Sequence, residues 1–155
     1  MSEIEIINVE PQLVVGLQRI GAYGIMAQMI PEAFEFVMKN GAKCIGAPIS
    51  VCHETAETVC EANKNGTAKV DVNIPVDKEI ADEGAFKCYT LEGGKFAKIL
   101  HKGPYQECST AYEKLFKWVA DNGKKLTGPT REIYLNDPRE VKESEIETNI
   151  LAPIE

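Results

Sequence analysis

Between Ala68 and Val76 apolar and polar residues alternate strictly, Ala68, Val70, Val72, Ile74 and Val76 against Lys69, Asp71, Asn73 and Pro75. A period of two marks a strand with one buried face. Pro75, near its end, points to the edge of a sheet. Leu13, Val15 and Leu17 alternate in the same way with Gln12, Gly16 and Gln18. Shorter β-branched or alternating runs predict further strands at 4–9, 45–52, 86–91, 95–102, 130–135 and 146–152. Gly93-Gly94 lies between the third and fourth of these runs and predicts a hairpin. In 45–52, Ile49 and Val51 face one way and Ser50 and Cys52 the other.

Two stretches change to the helical period. Ile30, Phe34, Val37 and Met38 fall at i, i+4, i+7 and i+8, which predicts a helix over 27–39 with one apolar stripe. Pro31 belongs in its first turn, where a missing N–H is tolerated. Asn40-Gly41 ends it, with glycine free to take the left-handed position after the cap. Tyr112, Leu115, Phe116, Val119 and Ala120 form the stripe of a second helix, closed by Asn122-Gly123. Thr110 with Glu113 makes a capping box at its start, and Ser109 is an alternative cap. Residues 53–66 are acidic without clear period and read as a loop with at most a short helical turn.

The two helical regions are copies. At a constant offset of 82, Gly103, Tyr105, Phe116, Val119, Asn122, Gly123, Lys125 and Gly128 fall on Gly21, Tyr23, Phe34, Val37, Asn40, Gly41, Lys43 and Gly46. A gap-free register with matching element types indicates internal duplication. The expectation is a pseudo-symmetric single domain over 1–155, with modules at about 1–80 and 84–155 and a hinge at 77–84. Strand, helix and strands occur twice, so the fold class is α+β, with antiparallel pairing and two main helices covering apolar sheet faces.

Composition narrows the functions. A chain of 155 residues suits one domain. No apolar run approaches the ~20 residues of a membrane span, and the acidic start MSEIEIINVE lacks a basic, apolar leader. A cytoplasmic protein without membrane contact is expected. The net charge of −7 argues against direct nucleic-acid binding, which needs clustered Lys and Arg. The acid excess sits mostly in residues 1–82, with 6 basic and 12 acidic side chains, against 11 and 12 in 83–155. Cys44, Cys52, Cys60, Cys88 and Cys108 show no C-x-x-C and no zinc spacing with His53 or His101. They read as buried reduced thiols rather than metal ligands, Cys52, His53 and Cys60 being the one conceivable ligand set. No metal or cofactor is expected.

Candidate chemistry centres on Arg131-Glu132-Ile133-Tyr134-Leu135. With side chains alternating, Ile133 and Leu135 are expected under the helix, and Glu132 with Tyr134 on the other face. At the offset of 82, Glu132 and Tyr134 correspond to Ser50 and Cys52. The modules therefore differ by an acid and an aromatic at one point. Two readings of Glu132 stand side by side. It is the acid of an aromatic cleft for an organic cation, with rings supplying area and cation–π attraction, or a solvent-facing residue paired with Arg131 or a nearby Lys. Trp118, Tyr23, Tyr105 and Tyr89 are the candidate aromatics, each with core or loop packing as the plainer alternative. G-x-S-x-G, H-E-x-x-H and phosphate-binding glycine loops are absent. The only reaction left open is hydrolysis with a desolvated Glu132 as general base for water, so a non-enzymatic role is preferred.

The runs LEGGKFAKILHKGPY, AYEKLFKWV, NGKKLTGPTREIYLNDP and ETNILAPI resemble the GyrI-like small-molecule-binding family, which includes effector-binding domains of AraC-type and MerR-type regulators and DNA-gyrase inhibitory proteins. The resemblance runs from about Leu91 to Ile154. It implies tandem strand-helix-strand-strand modules around a central groove, and a hydrophobic, often cationic ligand. Glu132 matches the acid of that pocket, Tyr105 and Trp118 match aromatic positions of the motif, and Tyr134 follows the acid. It also implies three roles: a stand-alone sensor or sequestering domain, a gyrase-inhibitor-like module that binds a protein partner such as a topoisomerase, or a Glu132-dependent hydrolase of strained compounds.

Overall fold

The structure, a computed structural model, describes residues 4–52, 59–104, 109–136 and 140–155. It divides into two compact units, Pro11–Glu92 and Gly93–Glu155 with the N-terminal segment to Glu10. Each is an antiparallel sheet with one main helix on one face, the expected α+β class.

The 11–92 unit contains β2 (Gln12–Gly21), α1 (Met26–Lys39), β3 (Ile49–Val51), a short α2 (Val59–Asn65), β4 (Ala68–Pro75) and β5 (Phe86–Leu91), with β1 being Glu5–Val9 in the other unit. Its strand order is β3-β4-β2-β5. Val15, Leu17, Val70, Val72 and Ile74 line the face under α1 and are fully buried. The 93–155 unit contains β1, β6 (Gly94–Lys102), α3 (Ser109–Asp121), β7 (Arg131–Tyr134) and β8 (Glu147–Pro153). Its order is β1-β6-β8-β7, and Ala97, Ile99, Ile150 and Ala152 pack under Ala111, Leu115 and Val119 of α3. Among the described residues no helix is long and apolar enough to cross a membrane.

The helix ends repeat in detail. In α1, the N–H groups of Gly41 and Ala42 donate to the carbonyls of Met38 and Val37; in α3, those of Gly123 and Lys124 donate to Ala120 and Val119. Gly41 and Gly123 adopt φ of 76° and 65°, the left-handed conformation that this closure needs. Asn40 and Asn122 each return a side-chain Nδ2 to the carbonyl four residues back, Phe36 and Trp118.

Several expectations give way. The 86–91 and 95–102 strands do not form a hairpin: β5 pairs with β2, and β6 with β1 and β8. The units are therefore not the two halves of the sequence, since each takes its outer strand from the other half. β4 is not an edge strand. It lies between β3 and β2, and Pro75 is tolerated because β3 pairs with β4 at Ile49↔Asn73 and stops short of it. Pro31 stands inside α1, in the second turn, because the helix begins at Met26 directly after a 3-10 turn at Tyr23–Ile25. The α1 stripe is turned by about one residue. Met29, Ala33, Phe36 and Val37 are buried, and Met38 is 75% exposed. Phe36 sets this rotation by stacking on Phe86 of β5, with ring centroids 4.2 Å apart. At the start of α3, Ser109 and Thr110 both lie inside the helix, so the capping box is not formed as expected, and the preceding residue falls outside the described ones. Among the described residues the thiols are not buried: Cys44 is exposed, and Cys52 and Cys88 are half-buried. Cys60 as a side chain, His53, Cys108 and the Asp137-Pro138 turn lie outside the description.

Candidate functional site

β7 places its side chains by register. Glu132 stands opposite Ile150 of β8, which stands opposite Ile99 of β6. Directly paired residues of an antiparallel ladder share a face, and Ile99 and Ile150 belong to the core under α3. Glu132 and Tyr134 therefore point to the α3 side, the reverse of the sequence expectation. Ile133 shares the other face with Arg131, and Leu135 lies beyond the strand and is 44% exposed. Apolar content alone suggested Ile133 and Leu135 as the inward pair. The pairing with β8 overrules it.

On the α3 side the Glu132 carboxylate is half-buried and takes one tyrosine hydroxyl on each oxygen. Tyr112 of α3 donates to Oε2 in a short hydrogen bond, and Tyr134 donates to Oε1 at 3.0 Å. The Phe116 ring, one helical turn on from Tyr112, lies 5.9 Å from the Tyr112 ring, tilted by 39°. Arg131 does not pair with Glu132. It lies on the opposite face with its guanidinium over the Phe96 ring, 4.7 Å from the centroid, and the nearby Lys98 pairs with Glu5 at 2.8 Å. Among the described residues no lysine or arginine neutralises Glu132. Both of its oxygens are held by neutral donors.

Trp118 is half-buried and packs against the core of its own unit, at the position Phe36 holds in the other copy. Tyr89 belongs to the 11–92 unit and lies on the sheet face away from α1. Its hydroxyl donates to Asn73 Oδ1 in a short bond, and it lines a depression of about 170 Å³ with Gly16, Gln18, Asp71, Asn73 and Lys87. Asp71 and Asn73 are buried there because they bind the backbone of β3. Val51 N–H donates to Asp71 Oδ1 at 2.7 Å and Asn73 Nδ2 donates to the Ile49 carbonyl at 3.2 Å. Within the 93–155 unit the structure thus gathers Glu132 and Tyr134 and adds Tyr112. Tyr105 and the Tyr23 side chain lie outside the description. Sequence reasoning missed Tyr112 by assigning it to the core stripe, although a tyrosine at the margin of such a stripe needs a partner for its hydroxyl. Among the described residues no group of His, Cys, Asp and Glu could hold a metal ion.

With this geometry in view, the sequence matches the GyrI-like small molecule binding domain over residues 2–155. No curated protein sequence matches it. The fold is similar to the EcmrR C-terminal domain, with a TM-score of 0.88 and 23% identity, covering 100% of this chain and 98% of that domain. EcmrR in its DNA complex matches with a TM-score of 0.87 and 22% identity over 99% of this chain, which spans only 57% of that protein. A hydrolase encoded by lin2189 from Listeria innocua matches with a TM-score of 0.68 and 16% identity, over 99% of this chain and 92% of that one. SAV2435, solved with tetraphenylphosphonium bound, matches with a TM-score of 0.60 and 14% identity, over 99% and 94%.

Proposed function

The chain belongs to the GyrI-like small-molecule-binding family, and we propose that it binds hydrophobic organic cations, with Glu132 as the group that pairs with the positive charge. One observation carries this reading. Glu132 is a half-buried carboxylate without a basic partner among the described residues, held by two tyrosine hydroxyls beside an aromatic ring. A permanent salt bridge would have neutralised the acid, whereas hydroxyl donors orient it and leave its charge for a ligand. Tyr112, Tyr134 and Phe116 supply the rings on which a delocalised cation can lie. Bound ligand is sensed or sequestered. EcmrR, whose C-terminal domain has a similar fold, is seen on DNA.

Tetraphenylphosphonium, the compound seen on SAV2435, is the first probe. Ligand that binds the folded state stabilises it by mass action, by about 2.7 kcal/mol at a hundred times Kd, and so raises the unfolding midpoint. The wild type is expected to gain several degrees and Glu132→Gln to lose most of that response. An equal response in the two proteins would remove Glu132 from the site.

A second reading has its own support in the same group. A carboxylate flanked by two hydroxyls contains both a base for water and proton donors for a leaving group. Turnover of a strained electrophile that disappears in Glu132→Gln while binding persists would favour hydrolysis over sensing.

A further inference from the structure

Thr148 of β8 is fully buried, at 0% exposure, and its Oγ1 finds no hydrogen-bond partner among the described residues. A buried hydroxyl without a partner is costly, and valine has nearly the same shape without that cost. Thr148 stands opposite Tyr134 on one side and His101 on the other. It lies two residues before Ile150 on the same strand, so it shares the α3 face with Glu132. Deeper under α3 that face is apolar, with Ala97, Ile99, Ile150 and Ala152. The Thr148 hydroxyl and the His101 imidazole share the row that contains Tyr134. The imidazole is already engaged, its Nε2 standing 3.0 Å from the Pro104 carbonyl oxygen.

We propose that the Thr148 hydroxyl is a second polar contact of the ligand site and selects cations that carry a hydrogen-bonding group away from the charge. This rests on the reading of Glu132 given above. Diagonal neighbours on adjacent antiparallel strands have Cβ atoms about 7–8 Å apart, and Glu132 and Thr148 are such a pair. Tyr134 is the cross-strand neighbour of Thr148, and its own hydroxyl is held by Glu132. For a cation at Glu132 Oε1 to reach Thr148, Tyr134 has to give up this bond and yield at its other contacts as well. The matching ligand class is a large organic cation bearing a hydroxyl, ether or amide at the far end of one ring.

The test compares tetraphenylphosphonium with its mono(4-hydroxyphenyl) analogue on wild type, Thr148→Val, Thr148→Ser and Glu132→Gln, by calorimetry. Wild type and Thr148→Ser are expected to prefer the hydroxylated cation. Thr148→Val is expected to lose about tenfold in affinity for it, the equivalent of one hydrogen bond, while tetraphenylphosphonium changes by less than about twofold. The unliganded Thr148→Val protein is expected to unfold at or above the wild-type temperature. Equal loss for both cations, or an unchanged preference in Thr148→Val, overturns the proposal. Should the valine variant fail to fold, absence of any preference in the wild type overturns it as well. Glu132→Gln separates the two claims, because it is expected to weaken both cations together. If neither cation binds the wild type, the reading of Glu132 falls and this inference falls with it.

Discussion

Glu132 is held by two residues from different elements, Tyr112 on α3 and Tyr134 two positions along its own strand. Such a network is expected to be non-additive, because both donors share one carboxylate. Tyr112→Phe and Tyr134→Phe are each expected to cost about 1 kcal/mol. The double variant should cost measurably more or less than their sum, by about 0.5 kcal/mol or more. Chemical denaturation of the four proteins in the cycle measures this, and strict additivity would mean that the two hydroxyls act independently. The sequence made Glu132 legible because an acid in a sheet-forming run is unusual and because its counterpart is Ser50. Its face was not legible. Burial of Ile133 and Leu135 was the natural guess, and only the pairing of Glu132 with Ile150 decides against it. Tyr112 stayed hidden because a tyrosine in a helical stripe counts as apolar until the position of its hydroxyl is known.

At the level of elements, the helix ends were the most readable part of the chain. Asn-Gly twice at one offset predicted two identical closures, and both are formed with the same hydrogen bonds. Gly41→Ala and Gly123→Ala each force an L-residue into the left-handed region and are expected to destabilise by about 1 kcal/mol. Thermal unfolding of the two variants should give similar losses, and a cost at only one end would break the equivalence of the copies. Strand pairing was less readable. Gly93-Gly94 has hairpin composition, yet Gly94 takes φ of 147°, and β5 and β6 go to different partners. Composition marks a change of direction but does not say which strand is met next. Between β2 and α1, Arg19 and Glu32 form an exposed bidentate pair, with Arg19 Nη2 donating to Glu32 Oε1 at 3.1 Å. The hydrogen bond from Arg19 holds the Glu32 carboxyl below its ordinary value. A lowered folded-state value means that the pair contributes above the unfolded carboxyl value near 4.5 and is lost as pH falls through the folded one. Glu32→Gln should therefore be slightly less stable than wild type at pH 7 and equal to it at pH 2. Being exposed, the difference should shrink in high salt. Denaturation curves at the two pH values check the sign.

On the scale of the whole molecule, the two units repeat the same elements, and they diverge at the proposed site. The two units have the same strand order when β5, β2, β4 and β3 are matched to β1, β6, β8 and β7. Ile30 and Tyr112, Phe34 and Phe116, Ser50 and Glu132, and Cys52 and Tyr134 are then equivalent pairs at the offset of 82. One copy keeps apolar and small side chains where the other has an acid and two hydroxylated rings. The repeat was visible in the sequence because its glycines and asparagines are fixed by backbone geometry. The borrowing of an outer strand by each unit was not, because it depends on pairing partners far apart in the chain.

The measurement that bears most directly on Glu132 as a cation-pairing acid is charge selectivity. Binding of tetraphenylphosphonium and of uncharged triphenylphosphine oxide would be measured by calorimetry on wild type and Glu132→Gln. A carboxylate that pairs with the ligand should favour the cation in the wild type, and loss of a charge-assisted contact of about 1.5–3 kcal/mol should cut that preference by about ten- to a hundredfold in the variant. The same preference in both proteins would contradict the assignment and place the charge recognition elsewhere.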